Sequence, residues 1–340
     1  MSSDAIPSSC KVCAFYRKCF GTQGQALALE RPGSGAEIIS YHLMAGVVAT
    51  RVLQAGHTGP AVLMLHGAGG RAERFRGSIG QIAAAGFKVF AVDLPEHGLA
   101  DRSAGFTPTI AAYVAFAIAV IDALGLDRVN LVGAGLGGHI AAAVTSRHPD
   151  RADRLVLAAP TGLVPLGEAI SERLARISFH RSREGARERL RRAVFNPLAV
   201  DAALIEEEFR VSDSAAARAS MGRVSEFVRV GADADPLAPV LARSGAGAST
   251  LVVWGAQDAL IPAQVGSEIA TQLPGSMLAL IEKAGHYAFL ERPGLFSRLV
   301  AAFLSGGLNG AEIDDVSLEH SRQFPGGGHN LANPSALEIV

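Results

Sequence analysis

Apolar residues fall in short unbroken runs that alternate with longer stretches of helical spacing. The runs are 61-AVLMLHG-67, 88-KVFAVDLP-95, 128-RVNLVGAG-135, 154-RLVLAAP-160, 250-TLVVWGA-256 and 276-SMLALIE-282. Helical patterns fill the intervals near 71–85, 108–125, 137–148, 263–273 and 293–305. Ahead of them, 37-EIISYHLMAG-46 and 47-VVATRVLQAG-56 read as two strands of a hairpin. Fully apolar strands alternating with helices predict a sheet buried on both faces, hence a parallel one. The expected fold is therefore α/β: a mostly parallel, eight-stranded sheet covered by helices on both faces. Right-handed crossovers then bring the strand C-termini to one edge, where ligands bind in such sheets.

The alternation breaks between Pro160 and Ser249, where the pattern is helical only. Residues 164–245 are accordingly expected as a helical cap inserted over the sheet edge, leaving 36–163 and 246–305 as the core. Residues 1–35 read as an N-terminal arm ending in 32-PGSG-35. Residues 306–340 read as an extended tail with 325-PGGG-328 and few large apolar residues. No internal repeat is present.

Composition narrows the function classes. The 340 residues are 49% hydrophobic and 19% charged, with a formal net charge of −1. That is enough chain for one large domain with an insertion, and too little charge to attract nucleic acid or an acidic membrane. The arginine-rich 181-RSREGARERLRR-192 is interspersed with Glu184 and Glu188 and reads as a solvated helix face. The run 110-IAAYVAFAIAVI-121 stops at Asp122, too short to span a bilayer. The N-terminal MSSDAIPSS lacks the basic-then-apolar order of a secretory signal, so cytoplasmic residence is the expectation. Cys10, Cys13 and Cys19 cluster in 10-CKVCAFYRKC-19 without a second CxxC or a nearby histidine. They read as structural or incidental thiols, not a metal site.

Each chemically suggestive motif follows a predicted strand: 66-HGAGG-70, 93-DLPEHG-98, 133-GAGLGG-138, 254-WGAQD-258 and 285-GHYAFLERP-293. Five turns in this order, each at a strand end, make the chain from about residue 37 to 305 resemble an α/β-hydrolase. The resemblance implies His286 as general base, Asp258 as the carboxylate that orients it, and Gly135 at the nucleophile position. It implies the N–H groups of Ala68 and Leu136 as the oxyanion hole. Gly67, Gly69 and Tyr287 are candidates for contacting substrate. Asp258 also reads as a helix N-cap or turn residue, and His286 as an ordinary surface histidine. His66 and His97 read as structural, bonding backbone around the loops.

Within the family, the chain is similar to meta-cleavage-product hydrolases, which split carbon–carbon bonds in vinylogous 1,5-diketones. The similarity lies in 190-LRRAVFNPLAVDAALIEEEFRVS-212, in 128-RVNLVG-133 and in the GGH at 137–139. It implies Arg210 as the group binding a substrate carboxylate, whereas the residue read by itself is a solvated cap arginine. The chain departs from the pattern in lacking a Gly-Pro pair in 66-HGAGGRAERF-75 and in carrying Ala134 before the nucleophile position. Apolar cap residues Leu163, Val164, Phe179, Phe195 and Phe209 are candidates for lining a pocket, though their helical spacing reads more readily as core.

The largest departure is Gly135. Neither neighbour, Ala134 or Leu136, can attack a carbonyl either. Glycine accepts the positive-φ turn of such an elbow without strain, so the turn is expected to persist while its attacking oxygen is absent. Three readings follow. The chain is a serine hydrolase altered at one position, an enzyme using His286 and Asp258 on a water or a proton, or a binder of small ligands. The expected partner is a small, largely apolar carbonyl compound, with no metal or organic cofactor. The arm and tail offer segments that could bridge copies in a homo-oligomer.

Overall fold

Strand faces buried on both sides demand two apolar layers, and the computed structural model of the chain shows both. It describes residues 36–102, 105–177, 182–231, 233–308 and 313–320. The cysteine-bearing arm, Phe179 and residues 321–340 lie outside the described residues.

Nine strands form one sheet: β1 (Ile38–Ala45), β2 (Val48–Ala55), β3 (Ala61–Leu65), β4 (Lys88–Val92), β5 (Val129–Ala134), β6 (Ala152–Ala158), β7 (Thr250–Gly255), β8 (Met277–Ile281) and β9 (Val316–His320). Their spatial order is β1-β2-β4-β3-β5-β6-β7-β8-β9. The strands from β4 through β3 to β8 pair in parallel, while β1–β2, β2–β4 and β8–β9 pair antiparallel. Successive residues of β3 serve opposite layers. Leu63 and Leu65 pack with helices α2 (Ile110–Ala123) and α3 (Leu136–Arg147), whereas Val62 and Met64 pack with α1 (Arg76–Ala84) and α11 (Pro293–Leu304). Truncating such a fully buried Leu to Ala costs roughly 2–5 kcal/mol.

The ninth strand corrects the reading of the tail. In 316-VSLEH-320, Val316 and Leu318 are half-buried while Ser317 and Glu319 are exposed. That is the period-2 pattern of an edge strand. Five residues next to an unpatterned segment gave the periodicity too little length to stand out. Register pairs Ile281 with Val316 and Leu278 with Glu319.

Among the described residues, five helices run between β6 and β7: α4 (Glu168–Ile177), α5 (Arg183–Arg192), α6 (Ala202–Ser212), α7 (Ala215–Gly231) and α8 (Ala238–Arg243). Side-chain caps start three of them, one being Ser214, whose Oγ accepts from the Ala217 N–H at 3.0 Å ahead of α7. Ser182 Oγ accepts from the Gly185 N–H at 3.0 Å, and Asp201 Oδ1 from the Leu204 N–H at 2.7 Å. A small apolar cluster of Ala186, Leu190, Val194, Val200 and Ile205 knits α5 to α6. Two further helices complete the set: α9 (Gln264–Gln272) beside β7, and the short α10 (Ala288–Glu291) after β8. Among the described residues, no helix is long and apolar enough to cross a membrane.

Candidate active site

The turn after β5 is dictated by how closely its backbone packs. A Cβ on Gly133 would lie 2.2 Å from the Gly137 carbonyl oxygen, and one on Gly137 would lie 2.0 Å from that of Leu65. Both positions exclude any side chain. Gly135 is different. Its φ of 52° and ψ of −116° disfavour L residues, yet a Cβ there would meet only Gly67 Cα at 3.6 Å, ordinary contact. Space for a side chain therefore exists at Gly135, and the sequence leaves it unused.

Leu136 opens α3, so its N–H has no acceptor within the helix. The facing loop after β3 closes through the Gly70 N–H on the Gly67 carbonyl at 2.9 Å. His66 holds this loop in place. Its Nδ1 contacts the Gly67 carbonyl at 2.8 Å and its Nε2 lies 3.0 Å from the Leu94 N–H, so the neutral ring donates through one nitrogen and accepts through the other. Complete burial pushes the His66 pKa down to about 4, despite the carbonyl contact. His97 bonds the Pro95 carbonyl at 2.9 Å, and burial lowers it to about 3.

Asp258 follows β7 and serves two roles at once. Oδ1 accepts from the N–H groups of Leu260 at 2.8 Å and Ile261 at 3.0 Å, which is the turn role read from the sequence. Oδ2 faces His286 Nδ1 at 2.8 Å. The carboxylate is fully buried and the imidazole is 11% exposed. Asp258 thus fixes Nδ1 as the donor and leaves Nε2 as the acceptor nitrogen of the neutral ring. The two loops are also tied through backbone: the Gln257 N–H donates to the Ala284 carbonyl at 3.0 Å.

Glu291, which the sequence reading passed over, organises the histidine loop. One oxygen accepts from the N–H groups of Phe195 and Asn196, both at 2.8 Å, and the other from Gly285 at 2.6 Å. The Tyr287 N–H donates to the Ala193 carbonyl at 3.0 Å. The residue next to the base is therefore stapled to the segment after α5. A glutamate five residues after a Gly-His pair was the available signal, but two of its three partners lie 96 and 95 residues away.

His286, Gly135, Gly67 and Tyr287 face two adjoining recesses at the C-terminal edge of the sheet. One, of about 460 Å³, is also lined by Ala68, Leu136, Thr161, Leu174, Arg189 and Val228. The other, of about 280 Å³, adds Gly70, Arg74, Ala134, Ala158 and Phe289. Both amide-bearing residues, the elbow glycine and the imidazole thus share one cavity.

Other expected residues stand elsewhere. The Arg210 side chain is 74% exposed and pairs with Glu206 at 2.7 Å, so it is a solvated cap residue in this structure and does not reach the cavity. Both sit on one face of α6 at i,i+4 spacing, which favours that surface pair. Gly69 has turned its carbonyl to Arg189 at 2.8 Å and does not line the cavity. Leu163 and Val164 are core residues, Phe195 is 49% exposed, and Phe209 lies under the Arg183 guanidinium. The apolar cap residues that do line the cavity are Leu174 and Val228.

The 181–192 segment needs a similar correction. Arg187 and Arg192 are exposed and paired within the helix, as expected, but Arg189 is only 3% exposed. It shares the buried face of α5 with Ala186 and Leu190.

This architecture and site define a class. Residues 60–293 match the family of the alpha/beta hydrolase fold, and the chain belongs to it. It is 30% identical over 258 residues to 2-hydroxy-6-oxo-6-phenylhexa-2,4-dienoate hydrolase of Burkholderia cepacia, covering 73% of this chain and 89% of that one. It is 29% identical over 251 residues to 2-hydroxy-6-oxononadienedioate/2-hydroxy-6-oxononatrienedioate hydrolase of Cupriavidus pinatubonensis, covering 72% and 86%. The crystal structure of 2-hydroxy-6-oxo-6-phenylhexa-2,4-dienoate hydrolase from a Rhodococcus species superposes with a TM-score of 0.72 at 23% identity, covering 79% of this chain and 99% of that one.

Proposed function

We propose that this protein hydrolyses a small, largely apolar carbonyl compound of the ring-fission diketone or ester class, using water in place of a side-chain nucleophile. The observation that carries this reading is the 2.8 Å contact of His286 Nδ1 with Asp258, beside a cavity that Gly135 leaves without an attacking oxygen. The names of its relatives favour the ring-fission substrates.

In this reading a water lies between His286 Nε2 and the substrate carbonyl. Its oxygen bonds to the carbonyl carbon while Nε2 takes its proton, and the buried Asp258 carboxylate stabilises the imidazolium. The carbonyl electron pair moves onto oxygen, where the Ala68 and Leu136 amides stabilise the charge. When the carbonyl re-forms, the bond to the leaving carbon or oxygen breaks and that group recovers the proton from His286. Removing a hydroxymethyl group frees roughly one water's share of liquid volume, about 30 Å³.

The test is turnover of 2-hydroxy-6-oxo-6-phenylhexa-2,4-dienoate and of aryl esters, with fluorophosphonate labelling alongside. The native chain should turn over without covalent labelling, and His286→Ala should abolish turnover. Gly135→Ser is the discriminating variant. If it alone shows a burst and covalent labelling while the native chain is inert, the protein is a serine hydrolase stripped of its nucleophile. If neither turns over and His286→Ala leaves ligand affinity intact, the cavity only binds, and the catalytic reading fails.

A further inference from the structure

Gly135 is bonded on both sides to the segment that follows β6. Its N–H donates to the Ala158 carbonyl at 3.0 Å, and its own carbonyl accepts from the Thr161 N–H at 3.1 Å. The backbone beyond Thr161 is fixed as well. Gly162 has a φ of 70°, and a Cβ there would lie 2.1 Å from the His139 ring, so only glycine lets the chain turn at this point. The Gly162 and Leu163 carbonyls then accept from the N–H groups of Leu237 and Ala238, both at 3.0 Å. Main chain alone thus holds Thr161 against the elbow, and its side chain is left for other use.

Thr161 is 7% exposed and lines the larger recess with Gly135, Leu136 and His286. Its hydroxyl makes no hydrogen bond to any described residue, yet it keeps accessible surface. The hydroxyls of Tyr113 and Ser220, also without partners, are instead sealed in the interior. Branching at Cβ restricts threonine to few rotamers, so the oxygen is held within a narrow range of positions. Arg189, the cation on the same wall, is already engaged. Its Nη2 pairs with Glu208, which also holds Arg74, and its Nη1 donates to the Gly69 carbonyl at 2.8 Å.

Attack by water makes a demand on each of its protons. One must pass to His286 Nε2 as the oxygen bonds the carbonyl carbon. The other stays on oxygen and, unheld, leaves the molecule free to turn about the first bond. An ordered water in a protein makes about three hydrogen bonds, and the imidazole supplies one. The Ala68 and Leu136 amides, in the proposed reaction, serve the carbonyl oxygen.

We infer that Thr161 is the positioning residue of the attacking water, its Oγ1 accepting the proton that is not transferred. With one proton on Nε2 and the other on Oγ1, a lone pair of the water is free to point at the carbonyl carbon. As the O–C bond forms, the O–H bond facing Nε2 breaks, and the O–H held by Thr161 survives into the product acid. Thr161 itself gains and loses nothing. The inference rests on the hydrolytic reading above and names the second group of its water site. An elbow without a side chain then has its attacking oxygen placed from the neighbouring strand end.

The experiment is steady-state turnover of 2-hydroxy-6-oxo-6-phenylhexa-2,4-dienoate by the full chain, by Thr161→Ser and by Thr161→Ala, two variants that differ in that one oxygen. Thr161→Ala should lower kcat roughly tenfold to a hundredfold with KM within about twofold, and Thr161→Ser should restore most of the rate. Thr161→Val, which keeps the shape, should behave as Thr161→Ala. Should Thr161→Val fail to fold, the serine and alanine pair carries the test. Equal kcat in that pair, or a loss confined to KM, overturns the assignment. A fluorophosphonate adduct on Thr161 does so too, by making it the attacking group. So does a loss in Tyr287→Phe without one in Thr161→Ala, which gives the water to the other hydroxyl on the wall. An inert native chain sinks the hydrolytic reading itself, whereas turnover indifferent to residue 161 leaves that reading standing and removes only this one.

Discussion

The two sides of the cavity are built on opposite principles. The sheet side is shaped by backbone: glycines at 133 and 137 let chain segments touch, and Asp258 spends its lone pairs on amides and one imidazole. The cap side is held by charge, through Glu208 and the arginines around it. Backbone packing tolerates no added atom, whereas an ionic joint tolerates shape changes but not the loss of a charge. Each side should therefore break in its own way.

The strongest blow to the sheet side is Gly137→Ala. Its Cβ would meet main-chain oxygen at 2.0 Å, which no side-chain rotation relieves. Denaturant melts should show a loss above about 4 kcal/mol, or no folded protein. On the cap side, Glu208→Gln leaves three guanidinium groups around a neutral amide and should cost roughly 3–5 kcal/mol, read the same way. If Glu208→Gln proved neutral, the contrast between the two sides would fail.

Between them lies Glu291. Glu291→Gln keeps one acceptor for three amides and should cost roughly 1–3 kcal/mol. Any turnover should fall further than stability does, because the loop that carries the base loses its staple.

Acid sharpens the comparison again. The pKa of His66 is pushed down to about 4 by burial, and that of His139 also to about 4, against about 6.5 in an unfolded chain. Between those values the unfolded state binds more protons, so stability is full above about pH 6.5 and falls toward pH 4. The slope should be about 1.4 kcal/mol per pH unit for each ring, measured by melts between neutrality and pH 4.5. The smallest effect belongs to Arg210→Ala, which should leave melting at the native value, since its partner is a solvated glutamate.

What could be read from the chain follows the same division. The five turns were legible because a tight backbone approach demands glycine at fixed offsets from a strand, and residue type records that demand directly. His286 and Asp258 were legible through their place in those turns. The Arg74–Glu208–Arg189 bracket was not, because its members lie up to 134 residues apart and each has a plausible local partner. Arg189 left one trace: it falls on the same helical face as Ala186 and Leu190, where a solvated arginine does not belong. Glu291 left only its spacing from the Gly-His pair, since three backbone amides donate to its carboxylate without any demand on their own side chains. For Arg210 the solvated reading agrees with the structure and the motif reading does not, because motif position fixes a residue along the chain but not the direction its side chain takes.

The last strand changes what may safely be trimmed. Beyond the hydrolase core, β9 seals the edge of β8, the Glu282 N–H donates to the Asp315 carbonyl at 3.0 Å, and Arg292 clasps Asp315 at 2.7 Å. The sealed strand leads straight into the loop bearing His286. A shortened chain ending near residue 308 would bare a ladder of unpaired amides four residues from that imidazole, inviting strand-to-strand aggregation. Residues 315–320 thus splint the edge that leads into the histidine loop, and should be kept in any expressed form of the protein.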